Sequence, residues 1–135
     1  MLLEAIVWLA LAALAIAVLP FRNLGRLAAR PIRRPKPPDS VRLTEARHVR
    51  WAIFAAARRV PWRTVCFQRG LAAQFMLRRR GIPSVLYYGA AQDDRSGLST
   101  HVWVRDCDFN VVGGEIAYRF AILATFPPQY SVPRD

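Results

Sequence analysis

The apolar and polar positions of this 135-residue chain change rhythm several times. Met1 to Pro20 is apolar apart from Glu4 and reads as one helix. From Phe21 to Ser40 the pattern inverts: five arginines, Lys36 and four prolines (Pro31, Pro35, Pro37, Pro38) take over. Proline fixes φ and removes a backbone donor, so Pro31 to Asp39 excludes a regular helix or a central strand, and the segment reads as a stiff basic linker. A helical period resumes with Thr44 as N-cap and Glu45 in the first turn. Val49, Ile53, Ala56 and Val60 form one stripe, while Trp51, Phe54 and Ala55 form a second face, so burial on more than one side is expected. After the turn Val60-Pro61-Trp62-Arg63, Thr64 reads as the N-cap of a further helix. Cys66, Gly70, Ala73 and Leu77 lie on one stripe of it, with Phe67, Leu71 and Phe75 beside them. Arg78, Arg79 and Arg80 suit its carbonyl end, and Gly81 suits the C′ position.

The second half alternates instead. Ser84 to Ala90 is β-branched and aromatic and reads as a strand. Gln92 to Ser99 reads as a loop. In Thr100 to Arg105, His101, Trp103 and Arg105 face one way and Val102 and Val104 the other. Asp106-Cys107-Asp108 is turn chemistry, Phe109 to Val112 reads as a returning strand, and Arg119 to Phe126 as a last apolar element, before an unstructured tail.

The length supports one domain with a substantial core. Hydrophobic residues make up 53%, mean hydropathy is +0.12, and the formal net charge is +11 from 19 arginines and one lysine against nine acids. That balance points to an acidic partner or to arginine as the solvent-facing residue of choice; the arginines are dispersed and do not choose between them. Two cysteines 41 positions apart make neither a disulfide framework nor a zinc site, and a reducing compartment fits them best. The N-terminal run lacks a positive n-region and a small-x-small cleavage site, so it does not read as a signal peptide. Ala5 to Leu19, at about 1.5 Å per residue, falls short of a hydrocarbon core of about 30 Å. It is expected to dock on the domain or a partner, with contact at a membrane surface as the alternative.

Candidate chemistry centres on Cys66. A thiol in the first turn of a helix faces unpaired N–H groups and the positive dipole end, which suits a nucleophile; the plain alternative is a small buried apolar residue. His101, on a later strand followed by a return bearing acids, supplies the order that cysteine–histidine–acid chemistry needs. His48, among arginines on a helix, reads as a surface histidine, and Trp103 as a core residue beside the site.

The segments CFQRGLAAQFMLRRRGIPSVLYYG and HVWVRDCDFNVVGGEIAYRFAILATFPP, from about Val60 to Pro128, resemble the transglutaminase-like cysteine proteases of lasso-peptide biosynthesis, the B-protein leader peptidases. The N-terminal EAIVWLALAALAIAVLPFRNL resembles their helical lead-in more loosely. The resemblance implies an α+β, transglutaminase/papain-like fold: N-terminal helices, with the catalytic-cysteine helix packed on an antiparallel sheet. The Pro-rich stretch divides the chain into an apolar helix and basic segment at 1–30, the linker itself at 31–41, a domain at 42–128 that the resemblance makes a transglutaminase-like cysteine protease, and a tail at 129–135.

By this resemblance Cys66 is the nucleophile and His101 the general base, with Val102 where the family has alanine. The family's acid lies about a dozen residues after the histidine, where this chain has Gly113. Glu115, sharing a face with position 113 on a regular strand, is the chosen acid; Asp108 is the alternative, Asp106 ranks below both, and a dyad without an acid stays open. The implied reaction removes the leader from a ribosomally made precursor peptide in the cytoplasm, without cofactor or metal. Its implied partners are that precursor, a separate leader-binding protein (the chain shows no winged-helix module before Val60) and an ATP-dependent lasso cyclase, with no nucleic acid. The rival readings are a transglutaminase-type acyl transferase and a non-catalytic basic module associated with membrane or nucleic acid.

Overall fold

A single helix, Cys66–Arg79, sits between two other helices and a sheet, and its sequence explains why. In the computed structural model, which describes residues 1–28, 38–93, 97–106 and 109–126, the helices are α1 (Leu2–Val18), α2 (Phe21–Ala28), α3 (Asp39–Arg59) and α4 (Cys66–Arg79). Strands β1 (Val85–Asp93), β2 (Gly97–Asp106), β3 (Phe109–Val112) and β4 (Ala121–Phe126) form one antiparallel sheet in the order β3-β2-β1-β4, and a 3₁₀ segment, Gly114–Arg119, leads from β3 to β4. This is the expected α+β architecture, with the Cys66 helix on the sheet.

α4 buries Gly70, Leu71, Ala72, Ala73, Gln74, Met76 and Leu77, nearly its whole girth. Its small residues permit close approach: a Cβ on Gly70 would stand 2.8 Å from Val102 Cγ1. The buried Gln74 amide donates to the Phe126 carbonyl at 2.9 Å, tying α4 to the end of β4 and giving a buried donor its partner. The helix ends in a Schellman motif: Ile82 N–H donates to Leu77 O and Gly81 N–H to Arg78 O, both at 3.0 Å, with Gly81 at φ +73. That is the role expected of Gly81, and the buried Leu77 and Ile82 supply the accompanying apolar residues.

α1 lies across α3 and α4. Ala5, Leu9 and Ala12 are buried, and Trp8 meets the Phe75 ring of α4 with centroids 5.1 Å apart. Glu4, the one charge in the apolar run, accepts from Arg80 at 2.6 Å and Arg79 at 2.9 Å. The helix therefore docks on its own domain as expected. Leu11 is 46% exposed, because the face that reaches the domain is set by Ala5, Leu9 and Ala12. Among the described residues no helix is long and apolar enough to cross a membrane.

Three local expectations are corrected. α3 begins at Asp39, not Thr44: Pro38 at the N-cap has the φ of −57 that suits a helix entrance, Asp39 meets the positive dipole end, and Thr44 lies inside, its hydroxyl donating to Ser40 O at 3.1 Å. The basic segment after α1, for which no helix was expected, is helical over Phe21–Ala28, since buried Leu24 anchors it while Arg22 and Arg26 face solvent. The hairpin is tighter than expected. Pairing runs to Asp93↔Gly97, because the register set by the apolar pairs carries the ladder on into polar residues. Residues 31–37 of the expected linker and the tail lie outside the described residues.

Candidate active site

Cys66 is the first residue of α4, half-buried, with a free thiol. The expected N-cap moves by one residue: Val65 occupies it without a side-chain cap, and buried Thr64 has a different task. Its hydroxyl accepts from Arg69 Nε at 2.9 Å, which holds the Arg69 side chain beside Cys66. Trp62 Nε1 donates to Gln68 Oε1 at 3.2 Å and fixes the turn that leads into the helix.

His101 lies on β2 opposite Gly89 of β1. Alternation works as the sequence predicts: Val102 and Val104 pack toward α4, while Trp103 faces the other side and stacks on Tyr87 with centroids 5.5 Å apart. The His101 ring keeps company with Trp103 at 5.7 Å and Phe120 at 5.1 Å, so its body lies on the face away from α4. It reaches the cysteine's side at an open margin. β3 stops at Val112, and beyond that point the edge of β2 is uncovered by a strand. There a cleft of about 220 Å³ is lined by Cys66, Arg69 and Val102 together with His101, Gly113 and Glu115, and walled by Phe54, Val112 and Ile116. Its volume is below the roughly 300–1,000 Å³ of a typical small-molecule pocket.

The ring is held by the backbone. His101 Nε2 is 2.7 Å from the Gly113 carbonyl oxygen. A carbonyl only accepts, so Nε2 carries the proton and Nδ1 keeps the basic lone pair. Among the described residues no hydrogen bond joins the Cys66 thiol to this ring. Gly113 ends β3 by taking a left-handed conformation, φ +76 and ψ 0, which the 3₁₀ segment then follows. A side chain here would also collide: its Cβ would lie 2.7 Å from Val102 O and 3.2 Å from His101 Nε2.

This changes the place of Glu115. The expected regular strand through 113 and 115 ends at Val112, and Glu115 stands in the 3₁₀ segment, on the cleft wall. Its carboxylate accepts from Arg50 Nη2 at 2.8 Å, and the atom on the His101 Nε2 is the Gly113 carbonyl rather than a carboxylate. The hydrogen bond from Arg50 holds the Glu115 carboxyl below the usual carboxylate range, helped by its own backbone N–H and the Arg50 charge, against the opposing effect of burial. Asp106 ends β2, buried 3.6 Å from Arg42, and does not line the cleft. Asp108 and Cys107 lie outside the described residues. His48 is exposed, 3.8 Å from Glu45, as expected of a surface histidine. Among the described residues no group of three or more His, Cys, Asp or Glu could hold a metal ion.

Sequence reasoning missed Arg50, Arg69 and the Gly113 carbonyl. Arg69 had a signal, since it stands one helical turn after Cys66; a backbone carbonyl has none.

The sequence model of one family, described as the transglutaminase-like superfamily, matches residues 7–125. No curated protein and no solved structure matches the chain significantly.

Proposed function

The chain belongs to the transglutaminase-like superfamily, whose members are in general thiol-dependent peptidases or acyl transferases, and from that premise we propose that it is a cysteine peptidase that removes the leader from a ribosomally made lasso-peptide precursor. One observation carries the reading: Cys66 at the start of α4 and His101 on β2 open onto the same cleft, with Nδ1 of the ring left as its basic atom.

In the proposed reaction Nδ1 takes the thiol proton as Sγ attacks the scissile carbonyl. The first-turn N–H groups of α4, which no capping side chain occupies, receive the developing oxyanion. The C–N bond breaks as the imidazolium returns the proton to the leaving amine. Water, deprotonated by the same nitrogen, then cleaves the thioester and frees the acid. Gly113 does for the ring what the carboxylate of a triad does: it fixes the tautomer and orientation, though without a charge to stabilise the imidazolium.

The resemblance that motivates the leader-peptidase reading also brings a separate leader-binding protein to present the precursor and an ATP-dependent cyclase to take the product. Amine in place of water would make the same site an acyl transferase. The test is incubation of precursor with its leader-binding protein and this chain, followed by mass spectrometry. Free leader and core are expected with wild type, an amide adduct would favour the transferase, and neither product from wild type would reject thiol catalysis. Cys66→Ala and His101→Ala are each expected to lower the rate by roughly 10²–10⁴-fold or more.

A further inference from the structure

We infer that Arg50 is a positioning residue of this site, holding the Gly113 carbonyl on His101 by gripping the chain on both sides of it. The Arg50 side chain comes from α3, a different layer of the fold. Its Nη1 donates to Val111 O at 3.0 Å and reaches Asn110 O at 3.5 Å, while Nη2 donates to Glu115 Oε2 at 2.8 Å. Val111 lies two residues before Gly113 and Glu115 two residues after it. One planar group therefore spans the corner at which the strand ends and the 3₁₀ segment begins. The guanidinium is itself fixed from beneath, with its carbon 4.8 Å from the centroid of Phe54, a wall of the cleft.

The corner needs such a grip. Glycine has the widest choice of φ and ψ, so the Gly113 peptide could rotate its carbonyl away from Nε2 at little cost if its flanks were loose. Loss of that acceptor weakens the preference between the two ring tautomers, and in the tautomer protonated on Nδ1 the lone pair sits on Nε2, away from the thiol proton. Stability alone is a poor explanation of the contact, because the Arg50 and Glu115 side chains are 33% and 56% exposed and exposed pairs contribute little. Direction is what a guanidinium adds: its fork addresses two carbonyls and a carboxylate at fixed angles, which an ammonium does not. Glu115 thereby becomes the second jaw of the grip rather than the partner of the ring.

The inference shares with the proposed function only the use of His101 as base, and it is testable without catalysis. Ring ¹⁵N shifts of the two histidines would be read by NMR at pH about 8.5, above the ordinary imidazole range, with thermal unfolding recorded for every variant. Exposed His48 serves as the internal reference. Wild type is expected to show one tautomer at His101, protonated on Nε2. Arg50→Lys, Arg50→Ala and, to a smaller degree, Glu115→Gln are expected to give a mixture there with His48 unchanged. On a cleavable peptide, Arg50→Lys should lower kcat roughly ten- to hundredfold with KM near its wild-type value. Glu115→Gln is isosteric and at an exposed position, so it carries the test if the Arg50 variants do not fold. A mixed tautomer in wild type, or a single wild-type tautomer in the folded variants, would overturn the inference. A tautomer that depends on Arg50 in a protein that cleaves nothing would uphold it and sink the peptidase reading instead.

Discussion

His101 and Gly113 are joined side chain to backbone, Nε2 to carbonyl oxygen at 2.7 Å, across the point where β3 ends. A glycine is required at that point on two counts, the left-handed φ of +76 and the approach of Val102 O and the ring to within 2.7 and 3.2 Å of where a Cβ would be. Gly113→Ala should therefore lower stability by about 1–3 kcal/mol, the usual cost of a strained backbone residue. It should also lower cleavage more than that loss explains, because the ring is displaced. Thermal unfolding and single-turnover cleavage on one preparation separate the two. Wild-type turnover in the folded variant would show that the carbonyl contact is dispensable.

Gly70 and Gly97 make a paired prediction about packing. A Cβ on Gly70 would press on Val102 Cγ1 at 2.8 Å, between helix and sheet, whereas at Gly97 it would meet nothing within 4 Å although φ is +80. Gly70→Ala should cost about 1–3 kcal/mol by overpacking and shift the β2 segment that carries His101. Gly97→Ala should cost about 1–2 kcal/mol through backbone strain alone and leave cleavage unchanged. Denaturant unfolding with a cleavage assay checks both, and a larger effect on cleavage at Gly97 would contradict the assignment.

Glu4 and Arg80 predict a pH dependence. The hydrogen bond from Arg80, with the Arg80 and Arg79 charges, holds the Glu4 carboxyl below its ordinary value against the opposing effect of burial, and Glu4 in turn raises Arg80. A carboxyl whose folded pKa is depressed binds fewer protons folded than unfolded. Its contribution is therefore complete above the usual carboxylate range and is lost as pH falls through the folded value. Glu4→Gln should lower Tm at neutral pH and bring the variant and wild-type curves together in acid. Parallel curves from neutral pH down to about pH 2 would remove the pair from the account of how α1 is held.

The leader-binding partner is the remaining prediction. With a net charge of +11, the chain attracts acidic faces without choosing among sequences. Purified chain and precursor should react slowly alone and faster with the leader-binding protein. The stimulated rate should fall as salt is raised from about 50 to 500 mM, where the Debye length drops below about 5 Å. Equal rates without the partner would refute the dependence, and indifference to salt would remove the arginines from it.

Local chemistry made part of this protein legible in its residues. The period from Cys66 to Arg79 and the glycine at 81 specify a helix and its end, because the hydrogen bonds concerned lie within five residues. Alternation in THVWVR places Val102 and Val104 against a helix and His101 with Trp103, because the pleat repeats every two residues. The fold class was legible through the family resemblance that those segments carry. What decides the candidate site lies beyond such ranges. Arg50 is one of 19 arginines, and only the packing of α3 beside β3 brings it to Val111 and Glu115, 61 and 65 residues on. The group on the His101 ring is a backbone carbonyl, which every residue possesses and no sequence marks. The expected acid moved off the strand because Gly113 took a left-handed turn, a choice open to any glycine and settled here by the chain closing round Val102, Trp103 and His101.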